Sequence, residues 1–275
     1  MISKGERAAN YLILAAFAAF ALWPVLTIVA AALGPDDSAA RTAQGPGLLG
    51  LHPENFGTAW QQGQFGHSML TSIAVSAFVV TCATLLSVMS GYAFGTMTFP
   101  GRNLLFYVFL VGIMVPAEAT VVPLYFDLRT LGLTNTFWAI ALPQVAQSVA
   151  FGTFWMRTYF RASPVAMAEA ARLDGAGSWT TLWRILLPIG RPAVTTLVVL
   201  TFMWTWNEFL IPLVMATSDE LRTAPLGLAF FQGQYTSGFT LLAAGAVIVA
   251  APVVVLYLFL QRRFIQGMIE GAVRE

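Results

Sequence analysis

Six apolar runs separated by polar, Gly- and Pro-rich connections set the pattern of this chain, over 10–33, 69–97, 104–126, 133–156, 192–216 and 239–260. Each meets the ~20 predominantly apolar residues that a helix needs to cross a bilayer. The second is long enough to tilt. The third is interrupted by Glu118, Pro116 and Pro123, and the fifth by Asn207, Glu208 and Pro212. The pattern predicts an all-α integral membrane protein with six transmembrane helices, forming a single membrane domain over 1–275. The first run could instead be a signal peptide, since Lys4 and Arg7 precede it and Ala30, Ala31 and Ala32 look cleavable. Its apolar core exceeds the 7–15 residues such a region uses, so an uncleaved span is the better reading.

Among the connections, 157–191 differs from the rest, because it is polar yet patterned to form helices. Ser163 and Pro164 supply an N-cap and a first-turn proline. A small-residue helix over 164–174 follows, built on Ala166, Ala168, Ala170 and Ala171. Gly175 and Gly177 are expected to end it by adopting positive φ. Ser178 is expected to cap a second short helix over 179–187, before Pro188 and Pro192. Small alanines let a partner backbone come close, with Glu169, Arg172 and Asp174 around an apolar strip holding Val165 and Leu173. Such a helix can dock in a partner's cleft, or rest on lipid as an amphipathic element.

Charge fixes an orientation for this frame. With six spans, Lys4, Arg7, Arg102, Arg157, Arg161, Arg172, Arg184, Arg191, Arg262, Arg263 and Arg274 lie on one side and Arg41, Arg129 and Arg222 on the other. By the positive-inside rule both termini, the 157–191 loop and the 262–275 tail are cytoplasmic. The outer connections are then 34–68, 127–132 and 217–238. The first carries Asp36, Asp37 and Glu54 and either docks an external partner or simply joins two helices.

Composition narrows the chemistry. The 275 residues are 57% hydrophobic and 10% charged, against about a quarter charged in soluble domains. A net charge of +1 from scattered basic residues gives no nucleic-acid footprint. Lys4 is the sole lysine, so no phosphate-binding G-x-x-x-x-G-K-[ST] loop can exist here. Any ATP used must be hydrolysed by another subunit. No H-E-x-x-H, C-x-x-C or G-x-S-x-G is present, and His52 and His67 lie too far apart for a local metal motif. A membrane-embedded enzyme is therefore disfavoured. Cys82, the single cysteine, reads as small apolar packing.

The spacing Glu169-Ala170-Ala171, Gly175, Ile185, Leu187-Pro188 resembles the EAA---G---------I-LP coupling motif of permease subunits in ATP-driven (ABC) importers. The likeness continues along nearly the whole chain and is similar to the second permease of maltose-type carbohydrate importers. Phe99-Pro100-Gly101-Arg102 resembles that branch's second cytoplasmic turn. Pro116, Pro123-Leu124-Tyr125 and Leu131-Gly132-Leu133 resemble its third span and the loop beyond. Trp206-Asn207-Glu208-Phe209 resembles its fifth, and Gln261-Arg262-Arg263-Phe264, Gly267 and Gly271-Ala272-Val273 its tail. Two departures stand out: His67-Ser68 where the family often has Asn-Ser, and Arg274-Glu275 where it commonly ends in Lys-Gly. The resemblance implies a type I importer permease fold in the cell membrane. It implies a second homologous permease, two ATPase subunits that bind ATP and Mg, and an extracytoplasmic solute-binding protein that delivers a sugar. The helix around Glu169, Ala170, Ala171, Asp174 and Gly175 would dock on an ATPase.

Polar groups within the spans are candidates for the solute path. Ionisable residues placed mid-bilayer cost at least ~2.5–3.5 kcal/mol and usually face the bundle interior. At ~1.5 Å per residue, Glu118 would sit roughly 21 Å from Leu104, and Asn207 roughly 22 Å from Pro192, so both fall in the outer half of a ~30 Å core. Trp204, Trp206, Asn207 and Glu208 offer ring faces and hydroxyl partners for a sugar. The structural alternative is that Asn207 and Glu208 hold the bundle together while the tryptophans sit in the interfacial belt. Pro116, Pro123 and Pro212 would free backbone groups at one depth, as a gate or as plain kinks. An ion-coupled secondary transporter with Glu118 or Glu208 carrying protons is the alternative function, and an ABC permease for a non-sugar solute another. Without an internal repeat, the secondary transporter gains no support.

Overall fold

The computed structural model describes residues 4–35, 50–162, 165–234 and 239–272. Asp36, Asp37 and Arg41 of the first outer connection, Ser163 and Pro164, and Val273, Arg274 and Glu275 lie outside the described residues. All regular structure among the described residues is helical: α1 Lys4–Ala32, α2 Glu54–Gln62, α3 Phe65–Thr96, α4 Arg102–Met114, α5 Ala117–Thr130, α6 Phe137–Ala162, α7 Val165–Leu173, α8 Ser178–Ile189, α9 Arg191–Asn207, α10 Leu210–Met215, α11 Ala224–Gln234 and α12 Phe239–Ala272. A 3₁₀ turn at Asp219–Leu221 precedes α11.

Lys4–Ala32, Phe65–Thr96 and Phe239–Gln261 are long and apolar enough to cross a membrane, and two bent pairs raise the number to as many as five. The expected fourth span, α6, carries Gln144, Gln147, Ser148 and Thr153, which dilute its apolar character. The last helix runs past the expected end of the final span to Ala272.

The chain divides into two compact units. The first takes Met1–Gly66 and Gly227–Ala251. In it, Asn55 Nδ2 donates to Ala32 O at 3.0 Å and Gly34 O at 2.9 Å, which satisfies carbonyls at the end of α1. Thr240 Oγ1 donates to Pro35 O at 3.2 Å. Helix α1 is exposed along most of its apolar run, including Phe17, Phe20 and Trp23, and is buried only at its end, at Ala32. A helix apolar all round belongs in lipid or against another chain.

The second unit, His67–Leu226 with Pro252–Glu275, is organised by a seam between α3 and α6. Ser87, Gly91 and Gly95 repeat every four residues, so they share one face of α3. They meet Gly152, Met156 and Phe160 respectively, and a Cβ on Gly91 would lie 2.5 Å from Met156 Cβ. Small residues let the two backbones approach, as membrane helices require. Ser90 and Thr153 hydroxyls hydrogen-bond across the seam at 2.6 Å. Because the paired numbers rise together, α3 and α6 run parallel. Helix α4 runs antiparallel to α6, with Phe106 beside Arg157 and Gly112 beside Ala150. So does α9: Trp155 Nε1 donates to Ala193 O at 3.0 Å, and Phe151 meets Trp204 further on.

The third and fifth runs are interrupted, as expected, and the breaks overturn only the depths counted along one straight helix. Helices α4 and α5 are bent by 100°, so Glu118 does not sit up a continuous helix from Leu104. Proline lacks an N–H and pushes its predecessor out of the helical region, and Val115 is accordingly extended at ψ 122°. The fifth run divides at Glu208, which ends α9 with ψ 122°. Pro123 and Pro212 lie inside α5 and α10 and break neither.

Candidate functional site

Helix α7, Val165–Leu173, carries Glu169, Ala170 and Ala171, with Asp174 and Gly175 just beyond its end. Gly175 has φ +77°, and Ala176 N donates to Ala171 O at 2.8 Å. That is the i to i−5 bond of a Schellman end, with glycine at the left-handed position. A Cβ on Gly175 would meet no described residue within 4 Å, and the turn's positive φ requires glycine here. Gly177, by contrast, is extended at φ −69° and ψ 164° and serves as the N-cap of α8. Ser178 is the first helical residue and makes no capping bond, which corrects the expected capping role. The second helix therefore covers Ser178–Ile189, not 179–187, and includes a π turn over Thr181–Leu186.

The two helices are exposed and anchored in complementary ways. Glu169, Ala170, Leu173, Asp174 and Gly175 face outward, with Leu173 89% exposed. Ala171 is buried at 4%, and α7 packs on the π turn. From that turn, Leu182 and Leu186 enter one apolar cluster with Val88, Tyr92, Met156, Phe160 and Leu197. Leu187 packs against the cluster, Ile185 is half-buried and Pro188 is exposed. At Gly190 the chain bends by 81° into α9, and a Cβ there would lie 2.7 Å from the Tyr159 ring. An exposed helix is thus tied through two leucines to α3, α6 and α9.

The solute-path candidates separate into exposed and packed groups. Asn207 is exposed, with Nδ2 donating to Met203 O at 2.7 Å in its own helix. Glu208 is half-buried, and its Oε1 accepts from Ile211 N at 3.0 Å, holding the start of α10 across the break. Trp204 is 48% exposed and meets Phe151 edge-on at 4.8 Å. Trp206 is buried at 1% and stacks with Phe202, so its ring face is already covered. Glu118 is exposed in the first turn of α5. Helices α5 and α10, each following a break, pack together through Val121, Leu128, Ile211 and Met215. Asn135, at φ +57°, closes this region by accepting from Thr217 N and Ser218 N at 3.0 and 2.9 Å.

Two features escaped the sequence reading. The Ser87, Gly91 and Gly95 face is silent inside a uniformly apolar run, although its four-residue spacing was visible. Arg102, noted only as part of a turn, sends Nε to Phe94 O at 2.9 Å and ties down the last turn of α3.

The chain matches the family described as binding-protein-dependent transport system inner membrane component over residues 83–270. It is 35% identical over 223 residues to the probable ABC transporter permease protein YurM of Bacillus subtilis, covering 81% of this chain and 74% of that one. It is 34% identical over 271 residues to the arabinooligosaccharides transport system permease protein AraQ of Halalkalibacterium halodurans, covering 94% of each. In structure it resembles a chain of a bacterial ABC transporter involved in the import of the acidic polysaccharide alginate, with TM-score 0.77 at 22% identity over 96% of this chain and 99% of that one. The motif, the anchored helix pair and these matches agree: the chain belongs to the binding-protein-dependent transport system inner membrane components, as a multi-pass ABC permease.

Proposed function

We propose that this chain is one of two permeases in an ATP-driven importer for a sugar or sugar derivative, of the kind found in maltose-type systems. The observation that carries the reading is α7, exposed on its outer side and anchored through α8 into the core. Glu169, Ala170, Asp174 and Gly175 form the face offered to an ATPase; Ala171 with Leu182, Leu186 and Leu187 holds that face on the bundle, and Ile185 and Pro188 continue the coupling segment beside it. ATP and Mg are bound by the two ATPase subunits. Nucleotide-driven closure moves α7 and shifts the packed helices between two arrangements, coupling sites at opposite ends of the protein.

Six spans fit this assembly: α1, α3, α4 with α5, α6, α9 with α10, and α12. Support for α6 comes from its parallel seam with α3, because a helix of 26 residues is about 39 Å long and accompanies a clear span. The antiparallel α4 carries the chain back between them. Both termini and α7 then lie in the cytoplasm, as the arginine distribution requires. Asn207, Glu208, Trp204 and Glu118 border the solute path near the two breaks, with Trp206 as packing behind them. The sugar class rests on relatives named for arabinooligosaccharide and alginate transport.

Purification from native membranes tests the assembly. A second permease and an ATPase should accompany this chain, and proteoliposomes of the complex should import a sugar when supplied with ATP and binding protein. Uptake by this chain without an ATPase, abolished by an uncoupler, would instead establish the secondary transporter.

A further inference from the structure

Three arginines gather at the α7 end of this unit, and no described carboxylate is paired with them. The Arg102 guanidinium is committed to backbone, with Nε on Phe94 O at 2.9 Å and Nη2 3.4 Å from Gly95 O. Arg157 lies over Phe106, its guanidinium carbon 3.7 Å from the ring centroid. Its Nε is buried and has no hydrogen-bond partner. Arg161 follows one turn later on α6 and is exposed. Arg102, Arg161 and Tyr107 all lie within electrostatic reach of Arg157. Among the described residues none of the three arginines takes part in an ion pair. Like charges brought together beside apolar rings repel one another, and an anion relieves that repulsion.

Tyr107, within electrostatic reach of Arg157, also belongs to an exposed apolar face of α4. Leu104, Tyr107, Val108 and Val111 fall at the helical spacing of one face of α4, and each is at least 58% exposed. That stripe starts two residues from Arg102, about half a turn, and runs on along α4 for about 10 Å. A soluble anion would use only the arginines. A phospholipid would use both parts.

We infer that this corner binds one anionic phospholipid. Arg157 and Arg161 hold the headgroup phosphate, the Tyr107 hydroxyl donates to it, and an acyl chain lies along Leu104, Val108 and Val111. Planar guanidinium groups suit phosphate oxygens in paired bonds, and Arg157 is preset for this by its stack on Phe106. Basic pockets between spanning helices hold headgroups in this way.

The test is native mass spectrometry of the intact, delipidated transporter complex. It is titrated separately with phosphatidylglycerol and phosphatidylcholine, then with inorganic phosphate as competitor. The wild-type complex should retain phosphatidylglycerol in preference to phosphatidylcholine. Arg161→Gln, at an exposed position that leaves the Phe106 stack intact, should weaken retention about fivefold, and Arg157→Gln with Arg161→Gln about 25-fold. Arg191→Gln, an exposed arginine at the same end but outside the cluster, should leave retention unchanged. Equal retention by wild type and Arg161→Gln overturns the site even if the double variant fails to fold. An equal loss in Arg191→Gln overturns it in favour of diffuse surface charge. Displacement of the lipid by millimolar inorganic phosphate overturns the lipid assignment in favour of a soluble anion.

Discussion

Replacing Gly91 by alanine is expected to strain the α3–α6 seam. The new Cβ would lie 2.5 Å from Met156 Cβ and 2.9 Å from both Met156 C and Arg157 N. Non-bonded carbons rest at about 3.5–4.0 Å, so the overlap is about 1 Å, against atoms fixed to the α6 backbone. No rotamer change relieves it. A retreat of about 1 Å would also take the 2.6 Å contact between Ser90 and Thr153 beyond hydrogen-bonding range. Overpacking costs ~1–3 kcal/mol, and an interhelical hydrogen bond in a membrane protein is worth about 0.6 kcal/mol. Alanine returns up to ~1 kcal/mol in helix propensity. The net loss is about 1–3 kcal/mol on these magnitudes. Gly112→Ala is the internal control, because its Cβ would meet Ala150 Cβ at an ordinary 3.6 Å. That variant should match wild type or gain slightly. Equilibrium unfolding in mixed detergent micelles, followed by tryptophan fluorescence, gives the comparison. If Gly91→Ala proves as stable as Gly112→Ala, α3 and α6 do not meet in this register.

The other predictions concern coupling and the solute path. Gly175→Leu should insert normally, because no described residue crowds the site, yet lower ATPase association or solute-stimulated hydrolysis by straining the positive-φ turn. Unchanged assembly and hydrolysis would contradict the lever. Glu208→Ala should destabilise the fold by about 0.5–2 kcal/mol in the same unfolding assay, as loss of a helix-start acceptor does. Glu208→Gln, which keeps an acceptor oxygen for Ile211 N, should retain uptake; loss of uptake in a stably folded Gln variant would indicate a proton carrier. In a Cys82→Ala background, a cysteine at 207 should react with a water-soluble reagent at a rate that changes when ATP is trapped on the complex. An absence of labelling in every state would place that position in packed protein or lipid.

Legibility from sequence followed the range of the forces involved. Gly175 was readable because a left-handed helix end is a local demand that only a few residues meet, and its φ of +77° is that demand. The apolar runs were readable because solvent selects them residue by residue. Pro116 announced a break but not its 100° angle, since direction is set by what α5 packs upon, chiefly α10. Gly177 and Ser178 were misassigned because both residue types suit a cap, and only the extended backbone at Gly177 distinguishes them. The Ser87, Gly91 and Gly95 face needed knowledge of its partner 65 positions later in the chain. Trp206 and Trp204 look equivalent in the sequence, yet one is buried at 1% and the other is 48% exposed, because one turns toward Phe202 and the core and the other toward Phe151 at its edge.

The central claim is that α7 docks on an ATPase and moves with it, and site-directed crosslinking measures this most directly. A cysteine replaces Ala170, which is exposed on α7, in the Cys82→Ala background of the intact complex. It is then joined to neighbouring proteins by a short bifunctional reagent, with and without trapped ATP. The account predicts a crosslink to an ATPase subunit whose yield changes between the two states. A crosslink to no ATPase in either state, from a complex that still imports its solute, would contradict it.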